Sequence, residues 1–184
     1  SDAQTLRNLS EIQPKEILKS TFKKAIDELT VTDKGTAEVK NYISLKLSKP
    51  KIAENQPFIV PKKSVFNKII GDNTFELEFA SFLESRFDDI VSYAKNTMGE
   101  GGINFKIEYQ AQDGNIREYY PDFFVKTNDK TFYIVETKGR EDLDDIRKIQ
   151  RLFVWCKDIN TAQKDYTYSP VYIKQEKWDD IKND

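Results

Sequence analysis

The chain has 184 residues, of which 38% are hydrophobic and 33% are charged, and its formal net charge is −2. This composition is typical of a globular domain with an accessory segment. The sequence has no histidine and a single cysteine, Cys156. Ser-His-Asp triads, histidine bases, histidine zinc sites and internal disulfides are therefore excluded. The slightly negative charge argues against a stand-alone nucleic-acid clamp. No apolar run approaches the roughly 18 residues of a membrane span and no signal-peptide pattern opens the chain, so we expect a cytoplasmic protein.

The N-terminal third of the chain has the weakest periodic pattern. Residues 16–29 predict an amphipathic helix, and residues 42–47 form a short alternating piece. Residues 48–61 contain three prolines and are typical of a connector. We therefore predict a mainly helical or linker segment over residues 1–60 and the main domain over residues 61–184.

A long helix is predicted over residues 75–95, with Asn73 or Thr74 as its N-cap. One arc of this helix is apolar: Phe75, Phe79, Phe82, Leu83, Phe87 and Ile90. Glu76 falls inside that arc and Glu78 just outside it. A carboxylate that faces a core needs a partner, which makes Glu76 the candidate functional residue and Glu78 the alternative. The other interpretation of Glu76 is a simple acid at the positive end of the helix dipole.

Three consecutive strands are predicted after this helix, over residues 103–110, 116–126 and 131–137. Each is rich in β-branched and aromatic residues. Asp113-Gly114 predicts the first hairpin turn, and the polar residues 127–130 predict the second. The pattern indicates an antiparallel meander.

A second helix is predicted from Asp142 or Asp144 to about Cys156. Its expected inward residues are Ile146, Ile149, Leu152, Phe153 and Cys156. A last strand follows over residues 166–173 and a short helix over residues 176–181. Because a strand–helix–strand crossover returns the chain in the same direction, the last strand is predicted to run parallel to the third. A proline within that strand indicates a bulge or a sheet edge.

Charged residues cluster at one end of the second predicted hairpin. Asp122 follows Pro121 at the start of one arm, and Glu136 and Lys138 share a face at the end of the other. Antiparallel pairing brings Asp122 to the region of Glu136. Two carboxylates in a partly dry place repel each other unless a cation lies between them, and their oxygens suit Mg²⁺ or Mn²⁺. The alternative is an exposed hairpin end with a surface ion pair.

These residues resemble the signature of the PD-(D/E)xK nuclease superfamily, through Pro121-Asp122 and Glu136-Thr137-Lys138. The longer sequence around these residues resembles the C-terminal endonuclease domain of the Res subunit of type III restriction enzymes. The segments that carry this resemblance are Tyr-Tyr-Pro-Asp-Phe-Phe-Val, Ile-Val-Glu-Thr-Lys-Gly-Arg-Glu, Phe-Glu-Leu-Glu-Phe-Ala and Ser-Tyr-Ala-Lys-Asn. The resemblance implies an α/β fold with an α-β-β-β-α-β restriction-endonuclease-like core, a mixed central sheet flanked by helices.

The same resemblance implies the roles of the site residues. Asp122, Glu136 and Lys138 would be catalytic. Asp122, Glu136 and the Thr137 carbonyl would hold Mg²⁺, for which Mn²⁺ can substitute. Glu76 would complete the shell directly, through water or around a second ion. Lys138 would align the attacking water in the hydrolysis of a DNA phosphodiester.

Double-stranded DNA is the implied substrate, and Lys95, Lys148 and Arg140 are candidate DNA contacts. For each, the alternative is an ordinary helix-end or surface cation. The resemblance also implies two protein partners, the helicase part of the full-length subunit and a modification methyltransferase. ATP would act only through a motor domain that this chain lacks, so the chain is expected to be a fragment or a free-standing relative. Two other functions remain open: a non-catalytic DNA- or subunit-binding module of the same fold, and a DNA-repair nuclease.

Overall fold

The structure is a computed structural model. It describes residues 17, 20–23, 25, 36–51, 55–85, 88–140 and 142–182. Its elements, in chain order, are a 3₁₀ turn (Leu45–Leu47), β1 (Phe58–Ile59), β2 (Ile69–Ile70), α1 (Thr74–Ser85), β3 (Ile90–Lys95), β4 (Ile107–Gln110), β5 (Ile116–Tyr119), β6 (Phe123–Thr127), β7 (Thr131–Lys138), α2 (Asp145–Ala162), β8 (Thr167–Lys174) and α3 (Gln175–Ile181).

A mixed four-stranded sheet in the order β3-β6-β7-β8 forms the centre of the fold. β3 pairs antiparallel with β6, and β6 pairs antiparallel with β7. β7 and β8 run parallel, with Ile134 opposite Pro170. The predicted crossover through α2 is therefore confirmed. Pro170 lies on the last strand in the sheet order, the edge position that its missing N–H favours.

The long helix predicted over residues 75–95 is wrong in its second half. α1 ends at Ser85, and residues 90–95 form strand β3. The β-branched and aromatic residues of this segment pair with β6, with Tyr93 opposite Val125. The burial of Ile90 fits a strand as well as a helix, so periodicity misassigned it. Phe87, expected on the apolar arc, lies outside the described residues.

The predicted three-strand meander is divided between two sheets. β4 and β5 form a separate two-stranded sheet, whose loop contains the predicted Asp113-Gly114 turn. Residues 120–122 then interrupt the strand predicted over 116–126, because Pro121 cannot donate a ladder hydrogen bond. The first strand of the central sheet is thus β3. With the β4–β5 hairpin as an insertion, the order α1, β3, β6, β7, α2, β8 gives the predicted α-β-β-β-α-β fold, which is confirmed.

α2 is longer than predicted and more exposed. It continues to Ala162 and packs against β8 and β4. Leu152 and Cys156 are buried, as expected, whereas Ile146 is 69% exposed and Phe153 is 56% exposed. The prediction placed too many residues on the inward face of α2, because the helix contacts the sheet along a narrow stripe.

The N-terminal third is described only in part. Of the helix predicted over residues 16–29, the structure describes residues 17, 20–23 and 25, all with helical backbone, and the remainder lies outside the described residues. Within the alternating piece 42–47, Leu45–Leu47 form a 3₁₀ turn, and Leu47 is 79% exposed. No helix in the described part of the chain combines the length and the apolar character needed to span a bilayer.

An aromatic cluster fixes α1 and α3 on the central sheet. Trp178 of α3 is 2% exposed and packs against Phe82 of α1, with ring centroids 4.6 Å apart. Phe79 contacts Phe123 at the start of β6, at 5.3 Å. Edge-to-face pairs of this kind add to the hydrophobic contribution of the buried area. The cluster holds the start of α1 beside the end of the sheet that carries Asp122.

Candidate active site

Asp122 is fixed at the entrance of β6 by the neighbouring strand. Its backbone N–H donates to the carbonyl of Val135 at 2.9 Å. Its Oδ2 accepts hydrogen bonds from the backbone N–H of Thr137, at 2.7 Å, and from the Thr137 hydroxyl, at 2.6 Å. Because Phe123 lies opposite Val135, the next step of the ladder brings Asp122 level with Glu136. The hairpin end therefore joins the two acidic positions as the sequence predicts.

Glu136 is half-buried beside this aspartate. The phenol of Tyr119 donates to its Oε2 at 3.1 Å. Burial, followed by the negative charge of Asp122, raises the pKa of Glu136 from its ordinary value near 4.5 to about 8. Burial also raises the pKa of Asp122, against the lowering effect of its hydrogen bonds from Thr137. These two carboxylates resist ionising together unless a cation balances them.

Lys138, the last residue of β7, is held by the first turn of α2. Its ammonium lies 2.9 Å from Oδ1 of Asp145, a residue that is 4% exposed. Lys148 approaches the same Oδ1 at 3.2 Å and Asp142 at 2.8 Å. Burial alone would lower the pKa of Lys138, but the hydrogen bond and charge of Asp145 outweigh it and the pKa is raised. Lys138 is therefore an ammonium group and a hydrogen-bond donor near neutral pH.

Glu76 lies in the first turn of α1 and faces the interior, being 4% exposed. Asn73 is the helix cap: its Oδ1 accepts from the Glu76 backbone N–H at 3.0 Å, and its amide donates back to Oε1 at 2.9 Å. Burial raises the pKa of Glu76, with the charge of Asp122 as a smaller cause in the same direction. Glu78 is exposed and lies 3.8 Å from Lys182. The prediction that Glu76 faces the core and Glu78 does not is confirmed.

The three candidate DNA contacts have different surroundings. Lys95 is 4% exposed and its ammonium lies 2.7 Å from Asp72. This burial is at odds with the predicted contact to DNA. The prediction placed Lys95 at the exposed end of a long helix, whereas it is the last residue of strand β3. Arg140 is exposed just after β7. Lys148 is half-buried beside Lys138, nearer the acidic pair than a solvated helix face would bring it. As DNA contacts, Arg140 and Lys148 stay predictions.

The donor set suits a divalent cation of the Mg²⁺ type. Asp122, Glu136 and the Thr137 carbonyl supply hard oxygen ligands, which Mg²⁺ combines with several waters. The burial of both carboxylates, together with the charge that Asp122 places on Glu136, favours a cation here. Within the described ranges, no three or more carboxylate or thiol side chains are grouped closely enough to cage a metal ion. A cation at this site would therefore rely on two carboxylates, a carbonyl and water.

Two residues of the site were missed from sequence. Tyr119 donates to Glu136, and Asp145 holds Lys138. Tyr119 was expected only as one residue of a strand, and nothing in the local pattern indicates its partner. The sequence indicates Asp145 only weakly: a helix that starts soon after the Glu-Thr-Lys strand places the acids of its first turn close to Lys138.

Comparison with known protein families identifies the domain. The family described as "TnsA-like endonuclease N terminal" matches residues 88–179, which is half of the chain. The chain belongs to this family. TnsA-like endonuclease N-terminal domains have the PD-(D/E)xK nuclease-like fold, so this chain carries a nuclease domain of that superfamily, whose members generally use divalent metal ions and act on DNA. No curated protein and no solved structure matches the chain.

The TnsA-like match runs from just before β3 into α3 and includes Asp122, Glu136 and Lys138. α1, with Glu76, lies before the matched residues. The description of the matched family names a TnsA-like endonuclease and does not name a type III restriction subunit. The restriction-enzyme assignment therefore depends on the sequence resemblance alone.

Proposed function

We propose that this domain is a Mg²⁺-dependent DNA endonuclease whose catalytic residues are Asp122, Glu136 and Lys138. The observation that carries the proposal is the pairing of Asp122 with Glu136 across β6 and β7. Burial raises the pKa of both carboxyl groups, and the charge of Asp122 raises the pKa of Glu136 further. Such a pair favours a divalent cation, and the TnsA-like endonuclease match supports a nuclease that would use one. Mn²⁺ is expected to substitute for Mg²⁺.

Asp122, Glu136 and the Thr137 carbonyl are the proposed metal ligands. Thr137 also keeps Asp122 in place, since its N–H and its hydroxyl both bind Oδ2. Tyr119 restrains Glu136 from the other side. When bound, the cation would supply charge compensation at the scissile phosphate and would acidify a water molecule. Glu76 lies near this pair and senses the charge of Asp122.

Lys138 is proposed to donate hydrogen bonds to the attacking water and to the negative charge that develops on the phosphate. Its ammonium is restrained by Asp145, 2.9 Å away. Because the pKa of Lys138 is raised, it orients and donates rather than removing a proton. Lys148 also contacts the carboxylate of Asp145, so a second positive charge lies beside Lys138.

The experiment is nicking of supercoiled plasmid in Mn²⁺ at raised protein concentration, combined with calorimetric titration of Mn²⁺. Asp122→Asn should lose both cleavage and metal binding. Lys138→Met should keep its fold and metal affinity while cleavage falls by about 10²-fold or more, the usual size of an electrostatic catalytic contribution. Lys106→Met, which alters an exposed lysine paired with Glu118, is the control and should cleave normally.

Two results would refute this assignment. Substantial cleavage by Lys138→Met would remove Lys138 from the mechanism. Unchanged Mn²⁺ binding by Asp122→Asn would remove the metal site. If the wild-type protein binds DNA but never nicks it at any Mn²⁺ concentration, the domain is a non-catalytic binding module of the same fold.

The amino-acid sequence of residues 119–140 supports a more specific proposal, that the domain is the cleavage part of a type III restriction Res subunit. Its partners would then be the helicase part of that subunit and a modification methyltransferase, and ATP would act through the helicase part. The test is cleavage by the domain joined to such a motor, with and without the methyltransferase and ATP. Cleavage that neither one changes would remove the restriction assignment and leave a repair nuclease or another TnsA-like endonuclease.

A further inference from the structure

Lys95 is a buried ammonium next to the proposed metal site. Its side chain is 5% exposed, and it is the last residue of β3, opposite Phe123 and so one residue from Asp122. The Lys95 Nζ lies 2.7 Å from Asp72 and 3.1 Å from Oε2 of Glu76. A buried ammonium is costly unless charged partners surround it. The pairing with Glu76 is therefore a built feature of the fold and not a chance surface contact.

Both carboxylate oxygens of Glu76 already accept hydrogen bonds. Oε1 accepts a hydrogen bond from the side-chain amide of Asn73 at 2.9 Å. Oε2 accepts from the backbone N–H of Asp72 at 2.9 Å and contacts Lys95. Oε2 thus has two donors already, and a metal ion that took Oε2 as a ligand would have to displace one of them. Asp122 and Glu136 carry no such ammonium contact in the described part of the chain.

We propose that Lys95 is the permanent counter-ion of Glu76, so that the site takes a single divalent cation and Glu76 is not one of its ligands. The proposal rests on the metal site proposed above and concerns its composition. The ammonium of Lys95 lies between Asp72 and Glu76, so the charge of Glu76 is compensated without a metal ion. With Glu76 engaged, Asp122 and Glu136 are the carboxylates left for one cation, since no group of three or more acidic or thiol side chains that could hold a metal ion is found in the described part of the chain.

The first experiment counts bound ions on the full chain by Mn²⁺ electron paramagnetic resonance. Wild type should bind one Mn²⁺. Glu76→Gln should still bind one, with a dissociation constant changed by less than about tenfold, which is below the effect of losing a ligand. Glu78→Gln, on the same helix but exposed and near Lys182, is the matched control. A second ion on the wild type, or an ion lost by Glu76→Gln, would overturn the proposal.

The second experiment removes the counter-ion. Lys95→Met frees Glu76 and should add a second Mn²⁺ site, whereas Lys95→Met combined with Glu76→Gln should bind one ion again. If Lys95→Met does not fold, the double variant decides, since it removes both charges: folding with one ion supports the pairing, and failure to fold overturns it. An unchanged stoichiometry in a folded Lys95→Met would also overturn it. Loss of binding by Asp122→Asn tests the metal site itself and separates the two proposals.

Discussion

Glu136 illustrates how a functional residue can oppose stability. Its carboxyl group is half-buried beside Asp122, and its pKa of about 8 means that the metal-free fold binds a proton there more tightly than the unfolded chain does. For an acid shifted upward, the destabilisation is absent below the unfolded value near 4.5, grows between 4.5 and 8, and is complete above 8. The fold therefore holds an ionised Glu136 at a cost that a bound cation would relieve.

Replacing this carboxylate by an amide should stabilise the metal-free protein. We expect Glu136→Gln to raise the free energy of unfolding by roughly 1–3 kcal/mol at pH 8.5, with no gain at pH 4. Urea denaturation in EDTA at both pH values measures this. Glu118→Gln is the control, because Lys106 lowers the pKa of Glu118 and its neutralisation should bring no gain at high pH. A Glu136→Gln protein less stable than wild type at pH 8.5 would contradict the argument from burial and repulsion.

Tyr119 acts on the site through one hydrogen bond. Its side chain is 4% exposed, burial raises its pKa, and its phenol donates to Glu136. Tyr119→Phe keeps the ring and removes that donor. We expect single-turnover DNA cleavage to fall by about tenfold, the equivalent of one hydrogen bond to a charged group, with little change in melting temperature.

The neighbouring tyrosine supplies a matched control for that variant. Tyr120 donates to Glu118 on the exposed side of the chain, so Tyr120→Phe should cleave at the wild-type rate. Equal rates for Tyr119→Phe and wild type would show that Glu136 needs no support from Tyr119. A large fall in melting temperature for Tyr119→Phe alone would indicate a structural role instead.

At the scale of elements, Asp144 joins the β4–β5 hairpin to the start of α2. Its Oδ1 accepts from the Gln112 backbone N–H at 2.8 Å, and its Oδ2 accepts from Arg117 at 2.9 Å. We expect Asp144→Ala to lower the free energy of unfolding by about 1–2 kcal/mol, because a bonded backbone donor and a charge pair are lost together. Urea denaturation at neutral pH measures the loss.

Asp158, within α2, is the control, since its contact with Arg151 spans 3.7 Å. Asp158→Ala should change stability by less than about 0.5 kcal/mol, as is usual for partly exposed pairs. Equal effects of the two substitutions would mean that the hairpin does not depend on Asp144 for its attachment. Because the hairpin also carries Tyr119, cleavage by Asp144→Ala is expected to fall in parallel with its stability.

The sequence predicts the central hairpin well because its signals are local. Strand alternation, a polar turn and Pro121 define the two arms, and their pairing brings Asp122 level with Glu136. The segment from Ile90 to Lys95 shows the limit of such signals. Its apolar positions fit both a helix and a strand, and only pairing with a strand nearly 30 residues later decides between them. The partners Tyr119 for Glu136 and Asp145 for Lys138 depend on the same long-range assembly.

At the scale of the whole molecule, Cys156 is a natural probe of cooperative unfolding. It is the only cysteine in the sequence, lies on the inner face of α2 and is 2% exposed. Burial raises the pKa of its thiol from an ordinary value near 9 to about 12. Since the thiolate is the reactive form, labelling at pH 8 requires the helix to leave the sheet. The labelling rate should therefore report the population of the opened protein.

This probe connects the metal site to the stability of the entire fold. A cation that binds only the native protein stabilises it by mass action, so Mn²⁺ at ten times its dissociation constant should slow labelling by about tenfold. The measurement is the reaction rate with a disulfide reagent at pH 8, with and without Mn²⁺. Asp122→Asn should label at one rate in both conditions, because its site is lost. Equal slowing in that variant would mean that Mn²⁺ stabilises the protein by binding at another site. Fast labelling of the wild-type protein under native conditions would mean that α2 opens independently of the sheet.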